Sequence, residues 1–126
     1  MKTTCIKDTQ KYGRGVYATR DIKIGERFEI SPVIILPKEE WEYLKKTKLF
    51  NYCFYWGENS DYTAIALGYG SLFNHSYTPN ATFYNNEVDL SLDFYAITDI
   101  KNGEEIKINY NGEPKDKSPL WFDIIE

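Results

Sequence analysis

The residues best suited to chemistry lie in Asn74-His75-Ser76-Tyr77-Thr78-Pro79-Asn80, which holds the sole histidine of this 126-residue chain. Two asparagines, a proline and an imidazole make a poor hydrophobic segment and a good rigid polar one. Asn and Ser side chains bond nearby backbone in turns, and Pro79 pushes Thr78 towards an extended conformation. Gly68-Tyr69-Gly70 leads into the segment, and Gly103-Glu104-Glu105-Ile106 leads on to Tyr110. Upstream, Gly13-Arg14-Gly15 follows a short strand candidate. Two glycines let backbone approach a flat or charged ligand closely. A dinucleotide fingerprint is absent, because Ala18 stands where its third glycine would be and no helix follows. Taken alone, the histidine segment reads equally well as a surface turn with a core imidazole.

Composition narrows the classes. A net charge of −4 and a pI near 5.1 lack the basic excess of a nucleic-acid binder. Cys5, Cys53 and His75 are three soft ligands, too few for a tetrahedral zinc site in one chain, so no metal is expected. Two cysteines do not build a disulfide scaffold, which suits a reducing compartment. The expected location is intracellular and cytoplasmic, or a host nucleus for a viral or effector protein. The N-terminus lacks a signal-peptide pattern and no apolar run is long enough for a membrane span. The 11 tyrosines need partners for their hydroxyls, so several should face a wet or ligand-lined surface.

The elements that must position these residues are mostly strands. The length suits a single domain over residues 1–126, with the motifs spread over about residues 13–121. Runs rich in aromatic and β-branched residues predict strands at Cys5–Thr9, Gly15–Thr19, Phe28–Ile35, Asn51–Trp56, Tyr62–Leu67, Thr82–Asn85, Leu90–Ala96 and Ile106–Tyr110. One helix is expected over Lys38–Lys46, with Trp41, Leu44 and the stem of Lys45 on one face. The fold class is therefore mainly β with few short helices. An internal repeat relates Ala18–Ile30 to Ala96–Ile108: Ala, Asp, Ile, Lys, Gly, Glu and the final Ile coincide. Each copy reads as a hairpin turning at Lys-x-Gly-Glu. By that comparison Glu104 and Glu105 occupy a solvated turn like Glu26 and Arg27, and are no catalytic carboxylate pair.

Gly13-Arg14-Gly15-Val16-Tyr17-Ala18, Asn74-His75-Ser76-x-x-Pro79-Asn80 and Gly103-Glu104-Glu105-Ile106-x-x-x-Tyr110, in that order, resemble the SET-domain protein lysine methyltransferases in a minimal, viral or bacterial form. The resemblance implies several small twisted sheets and a C-terminal pseudoknot. It implies S-adenosylmethionine (AdoMet) as cofactor and a protein or peptide lysine as substrate; the charge and the lack of a long apolar run predict no direct nucleic-acid partner and no membrane. Residue by residue, Gly13, Arg14 and Gly15 match the strip holding the methionine part of AdoMet. Asn74 matches a side chain that contacts it, and His75 a residue whose backbone meets the adenine. Tyr110 matches the catalytic tyrosine, and Trp121 the C-terminal aromatic that stacks on adenine. Tyr52, Tyr69, Phe83 and Ile108 are candidates for the substrate channel. The apolar pair Phe83 and Ile108 favours higher methylation states. The chain lacks the Cys-rich zinc segments of many members, so Trp121 and Phe122 are expected to close the lid, and the peptide groove should be shallow. Exposed aromatics could support a homodimer.

In the implied reaction, methyl transfer from a sulfonium to an amine is an in-line displacement, and an apolar channel favours the neutral amine. His75 is not needed as a general base. Asn74, His75, Gly103 and Tyr110 occurring together favour an enzyme over a SET-like module that binds peptide with little or no turnover.

Overall fold

The computed structural model describes residues 3–121. Phe122, expected at the lid, lies outside the described residues. Among the described residues, nine strands and one α-helix follow in chain order: β1 (Thr4–Asp8), β2 (Arg14–Ala18), β3 (Arg27–Leu36), α1 (Trp41–Leu44), β4 (Cys53–Trp56), β5 (Tyr62–Ala66), β6 (Asn74–His75), β7 (Ala81–Asn86), β8 (Ser91–Ala96) and β9 (Glu105–Ile108). They form a four-stranded sheet in the order β1-β2-β9-β6 and a five-stranded sheet in the order β4-β5-β3-β8-β7. The mainly β expectation holds.

Several boundaries move for local reasons. The expected helix is split into a 3-10 turn at Lys38–Glu40 and the single turn of α1. Leu44 is buried while Lys45 pairs with Glu42 in solvent, so the apolar face is too narrow to extend the helix. Asn51 and Tyr52 belong to a second 3-10 turn, Lys48–Tyr52, and the strand starts only at Cys53. β3 runs through Pro32, which cannot donate to a ladder. Its residues up to Pro32 pair with β8 and its residues from Val33 pair with β5, so the proline sits where the strand changes partner. β8, flanked by β3 and β7, buries both faces, including Leu92, Phe94 and the carboxylate of Asp93. That carboxylate accepts from Ser91 Oγ (2.8 Å), Asn86 Nδ2 (3.0 Å) and Arg27 (3.2 Å). Burial pushes its pKa up, but the donors from Asn86, Ser91 and Arg27 together hold it below the ordinary value.

The two repeat copies are not hairpins, contrary to expectation. The strand that opens one copy pairs with the strand that closes the other: β2 pairs with β9, and β3 with β8. Between them Ile22 and Ile100 exchange backbone bonds of 2.7 and 2.8 Å. The exchange is two-fold in detail. Asp99 Oδ1 accepts from Ile24 N and Asp21 Oδ1 accepts from Asn102 N, both at 2.9 Å. Glu26 accepts from Lys23 N as Glu104 does from Lys101 N. Each glycine turn supplies the left-handed φ, +86° at Gly25 and +91° at Gly103. The repeat is thus a clasp of two interlocked corners, with Val16, Ala18, Ile22, Ala96, Ile100 and Ile106 packed at its centre.

The core continues as a run of phenylalanine rings. Phe73 packs on Phe94 (4.7 Å between centroids) and Phe28 (5.9 Å), and Phe54 packs on Phe83 (5.2 Å). The 3-10 turn Gly70–Leu72 lies tight on β3, where a Cβ on Gly70 would fall 2.5 Å from Ser31 Oγ. This turn delivers Phe73, and hence Asn74 and His75, to the edge of β9. C-terminal to β9, residues 109–118 are tied back by Asn109 Nδ2 to the Asp116 carbonyl (2.7 Å), Tyr77 Oη to the Ser118 carbonyl (2.9 Å) and Lys117 Nζ to the Tyr77 carbonyl (2.8 Å). These bonds fix the C-terminal segment against the loop after β6; the pseudoknot itself stays an expectation.

Candidate active site

The Asn74–Asn80 segment uses nearly every polar group it has. Its first two residues form β6, which lies parallel to β9 with Asn74 opposite Lys107 and His75 opposite Ile108. Asn74 Nδ2 donates to the Arg14 carbonyl and to Glu105 Oε2, both at 2.8 Å. His75 is buried, and its Nδ1 accepts the backbone N–H of Tyr110 (3.0 Å). Its ring edges meet Tyr77 (4.5 Å) and Tyr110 (5.3 Å). The imidazole is therefore a clamp on the backbone of Tyr110. Ser76 Oγ accepts from Thr78 N (2.9 Å), closing the turn that Pro79 prepares. Asn80 extends the sheet by its side chain, donating to the Glu105 carbonyl (2.9 Å) and accepting from Lys107 N (2.8 Å). Its amide takes the place of one more strand residue beside β9.

On the β2 side, Gly13, Arg14 and Gly15 lie against this segment. Gly13 has φ +90° with open space above it. A Cβ on Gly15 would fall 2.5 Å from Glu105 Oε2, 2.9 Å from Thr9 Cγ2 and 3.0 Å from Asn74 Nδ2. Glu105 is half-buried on β9 and also accepts the hydroxyl of Tyr12. The solvated-turn expectation thus holds for Glu104 and fails for Glu105. The alternation of β9 sends Ile106 and Ile108 into the core and leaves Glu105 and Lys107 on the other face.

Tyr110 connects this strip to a second feature. Its phenol donates to the Phe73 carbonyl (2.6 Å) and forms part of the wall of a cavity of about 270 Å³. The other walls come from Trp41, Phe50 and Tyr52 on the helical side, Phe54 and Phe83 from the core, and Trp121. Among the described residues, no charged side chain lines it. Burial, then the neighbouring Tyr52 and Glu105, push the Tyr110 pKa well above the usual phenol value, so the hydroxyl stays protonated. Trp121 is about half exposed, lies near-parallel to Tyr110 at 6.2 Å, meets Phe50 edge-on and donates from Nε1 to Asn51 Oδ1 (2.9 Å).

Of the channel candidates, Tyr52 and Phe83 line the cavity. Tyr69 does not: its backbone N–H is held by Glu29 and it packs on the core. Ile108 does not either, being fully buried in β9. Trp41 and Phe50 are cavity residues that the sequence reading left out. The i, i+3 spacing of Trp41 and Leu44 signalled an apolar face, but not that its tryptophan would line a ligand-sized space.

The comparisons agree with this geometry. Residues 13–111 match the SET domain family. A curated histone-lysine N-methyltransferase of Schizosaccharomyces pombe, named as specific for histone H3 lysine 37, is 36% identical over 119 residues, covering 94% of this chain and 76% of its own. The crystal structure of a candidate histone methyltransferase from Plasmodium falciparum superposes with a TM-score of 0.70 at 31% identity, covering 87% of this chain and 94% of that one. A Chaetomium thermophilum polycomb repressive complex 2 bound to S-adenosylmethionine shares the fold, with a TM-score of 0.72 at 23% identity over 86% of this chain and 15% of that one. With the three motifs gathered where β2, β6 and β9 meet, this chain belongs to the SET-domain family and is a protein lysine N-methyltransferase.

Proposed function

We propose that this enzyme takes AdoMet as methyl donor and transfers the methyl group directly to the ε-amine of a histone lysine. The carrying observation is the double anchoring of Tyr110. Its backbone is clamped by His75 beside Asn74, while its phenol faces the aromatic cavity. One residue thereby borders both a strip suited to the donor and a channel suited to the acceptor.

The residues present fit AdoMet. Gly13 leaves its surface open, and Gly15 lets the backbone lie close against Asn74 and Glu105. Asn74 Oδ1 carries no hydrogen bond among the described residues and is free to accept one. Gly13, Arg14, Gly15, Asn74, His75 and Trp121 would hold the cofactor, which when bound supplies an electrophilic methyl group on a sulfonium.

The protein's own contribution is alignment and dehydration. A lysine ammonium has a pKa of about 10.4, so presenting the neutral amine near pH 7 costs roughly 4–5 kcal/mol. A cavity walled by Tyr52, Phe54, Phe83 and Trp121, with no carboxylate among the described lining residues, lowers that cost. Tyr110 Oη spends its proton on the Phe73 carbonyl, so towards the amine it can act only as an acceptor. Fixing the amine in line with the leaving sulfur converts a collision into an ordered approach. The raised pKa of the phenol excludes it as a base at neutral pH.

The test is incubation of the purified chain with labelled AdoMet and a histone H3 peptide spanning lysine 37, followed by mass mapping; that lysine is chosen because the fission-yeast relative is named for it. Label on a lysine side chain is expected. Binding of S-adenosylhomocysteine and peptide with no label transferred, in peptide or lysate, would convert the reading to a peptide-binding module. No binding of S-adenosylhomocysteine at all would remove the donor assignment.

A further inference from the structure

We infer that Glu105 is a positioning residue that sets the hydrogen-bond polarity of the donor site and so selects a ligand bearing an ammonium group; this rests on the AdoMet reading above. Asn74 Nδ2 donates to the Arg14 carbonyl and to Glu105 Oε2, each at 2.8 Å. A carbonyl and a carboxylate only accept. The Asn74 amide therefore cannot turn over, and its Oδ1 is held as an acceptor beside Gly13–Gly15. The hydroxyl of Tyr12 donates to Glu105 Oε1, so both carboxylate oxygens are engaged and the group keeps one orientation.

Gly15 completes the arrangement. A Cβ there would fall 2.5 Å from Glu105 Oε2 and 3.0 Å from Asn74 Nδ2, so any other residue would have to displace the carboxylate from its place beside Asn74. The structure thereby ties the Gly13-Arg14-Gly15 motif to Glu105 across the β2–β9 ladder, where Tyr17 pairs with Glu105. In the other copy of the repeat this place is taken by Arg27, paired with Tyr95, so the carboxylate is peculiar to the copy that borders the site. Among the described residues no cation is ion-paired with Glu105. Its charge, 2.8 Å from the Asn74 amide, thus favours a positively charged donor over a neutral amine at Oδ1.

The decisive experiment is calorimetry on the full chain with two probes. S-adenosylhomocysteine carries the amino-acid ammonium; 5′-methylthioadenosine keeps the nucleoside and lacks that part. Glu105→Gln retains the size but removes the charge and can turn an amide N–H towards Asn74, which leaves the Arg14 carbonyl as the one obligatory acceptor holding the Asn74 amide. Affinity for S-adenosylhomocysteine should fall about 10- to 100-fold, the range for a lost hydrogen bond to a charged group. Affinity for methylthioadenosine should stay within about threefold. Equal weakening of both probes, or of neither, overturns the inference. Failure of the unmodified chain to bind S-adenosylhomocysteine refutes the donor assignment instead. Should melting show the glutamine variant unfolded, Glu105→Asp carries the same contrast: several-fold loss for S-adenosylhomocysteine and none for methylthioadenosine, with equal loss again fatal.

Discussion

Replacing Tyr110 by phenylalanine removes one oxygen and separates its two jobs. The hydroxyl is buried and bonded at 2.6 Å to the Phe73 carbonyl, so its loss leaves that carbonyl unpaired. A net hydrogen bond of this kind is worth about 1–2 kcal/mol. With an unfolding entropy near 2.1 cal/mol/K per residue, a chain of 126 residues has about 0.26 kcal/mol/K in total. A loss of about 1.5 kcal/mol then lowers Tm by about 6 °C. The backbone clamp to His75 does not involve the ring, so the strip around Gly15 and Asn74 keeps its shape. Affinity for S-adenosylhomocysteine should therefore change by less than about threefold. Turnover should fall by about 10² to 10³, the size of effect seen when one placed polar group leaves a transition state. Melting curves, calorimetry and single-turnover methylation at saturating donor separate the three effects. Turnover within threefold of the unmodified enzyme would remove the phenol from the mechanism, and a parallel loss of donor affinity would show that the ring holds the strip as well.

Three further outcomes follow from the geometry. Asp93 has a depressed pKa in the fold, so its stabilisation is present above the unfolded value of about 3.9 and is lost as pH falls through the folded value; the Tm gap between the parent and Asp93→Asn should be widest near neutrality and close below about pH 4. The interlocked corners predict matched losses for Asp21→Ala and Asp99→Ala, each about 1 kcal/mol in urea melts, since each carboxylate accepts one backbone N–H of the opposite copy at 2.9 Å; a large disparity would break the two-fold reading. Trp121→Ala should weaken S-adenosylhomocysteine about tenfold, for loss of aromatic stacking, while moving Tm by no more than a few degrees because the indole is half exposed; unaltered affinity would refute its assignment to the adenine.

The strands were legible because each needs only its own alternation and flanking turns, and the eight expected ones all exist within about two residues of their predicted ends. β6 was not legible, since two residues carry no alternation and exist as a strand only because β9 lies beside them. The repeat was visible, but a turn motif does not say which strand its arms will meet, and here each arm meets the other copy. Glu105 was misread for the same reason. Likeness to the Arg27 turn described the turn and hid the face of β9 onto which the side chain emerges. The close Gly15 would have pointed to it, given the knowledge that β2 and β9 are neighbours. Trp41 and Phe50 join the cavity through packing of two short helical turns, which no local pattern encodes.

The clasp has a bearing on how the molecule comes into being. β2 emerges early in synthesis, yet its neighbour on the inner side of the sheet is β9, and the hydrophobic side chains of Val16 and Ala18 wait for it across most of the chain. Such distant pairing makes for slow folding. The same late strand brings Glu105, seats Asn74 and leads directly into Tyr110. Assembly of the centre and completion of the core are thus a single event, and a nascent or clipped chain ending before β9 is at once sticky and inert.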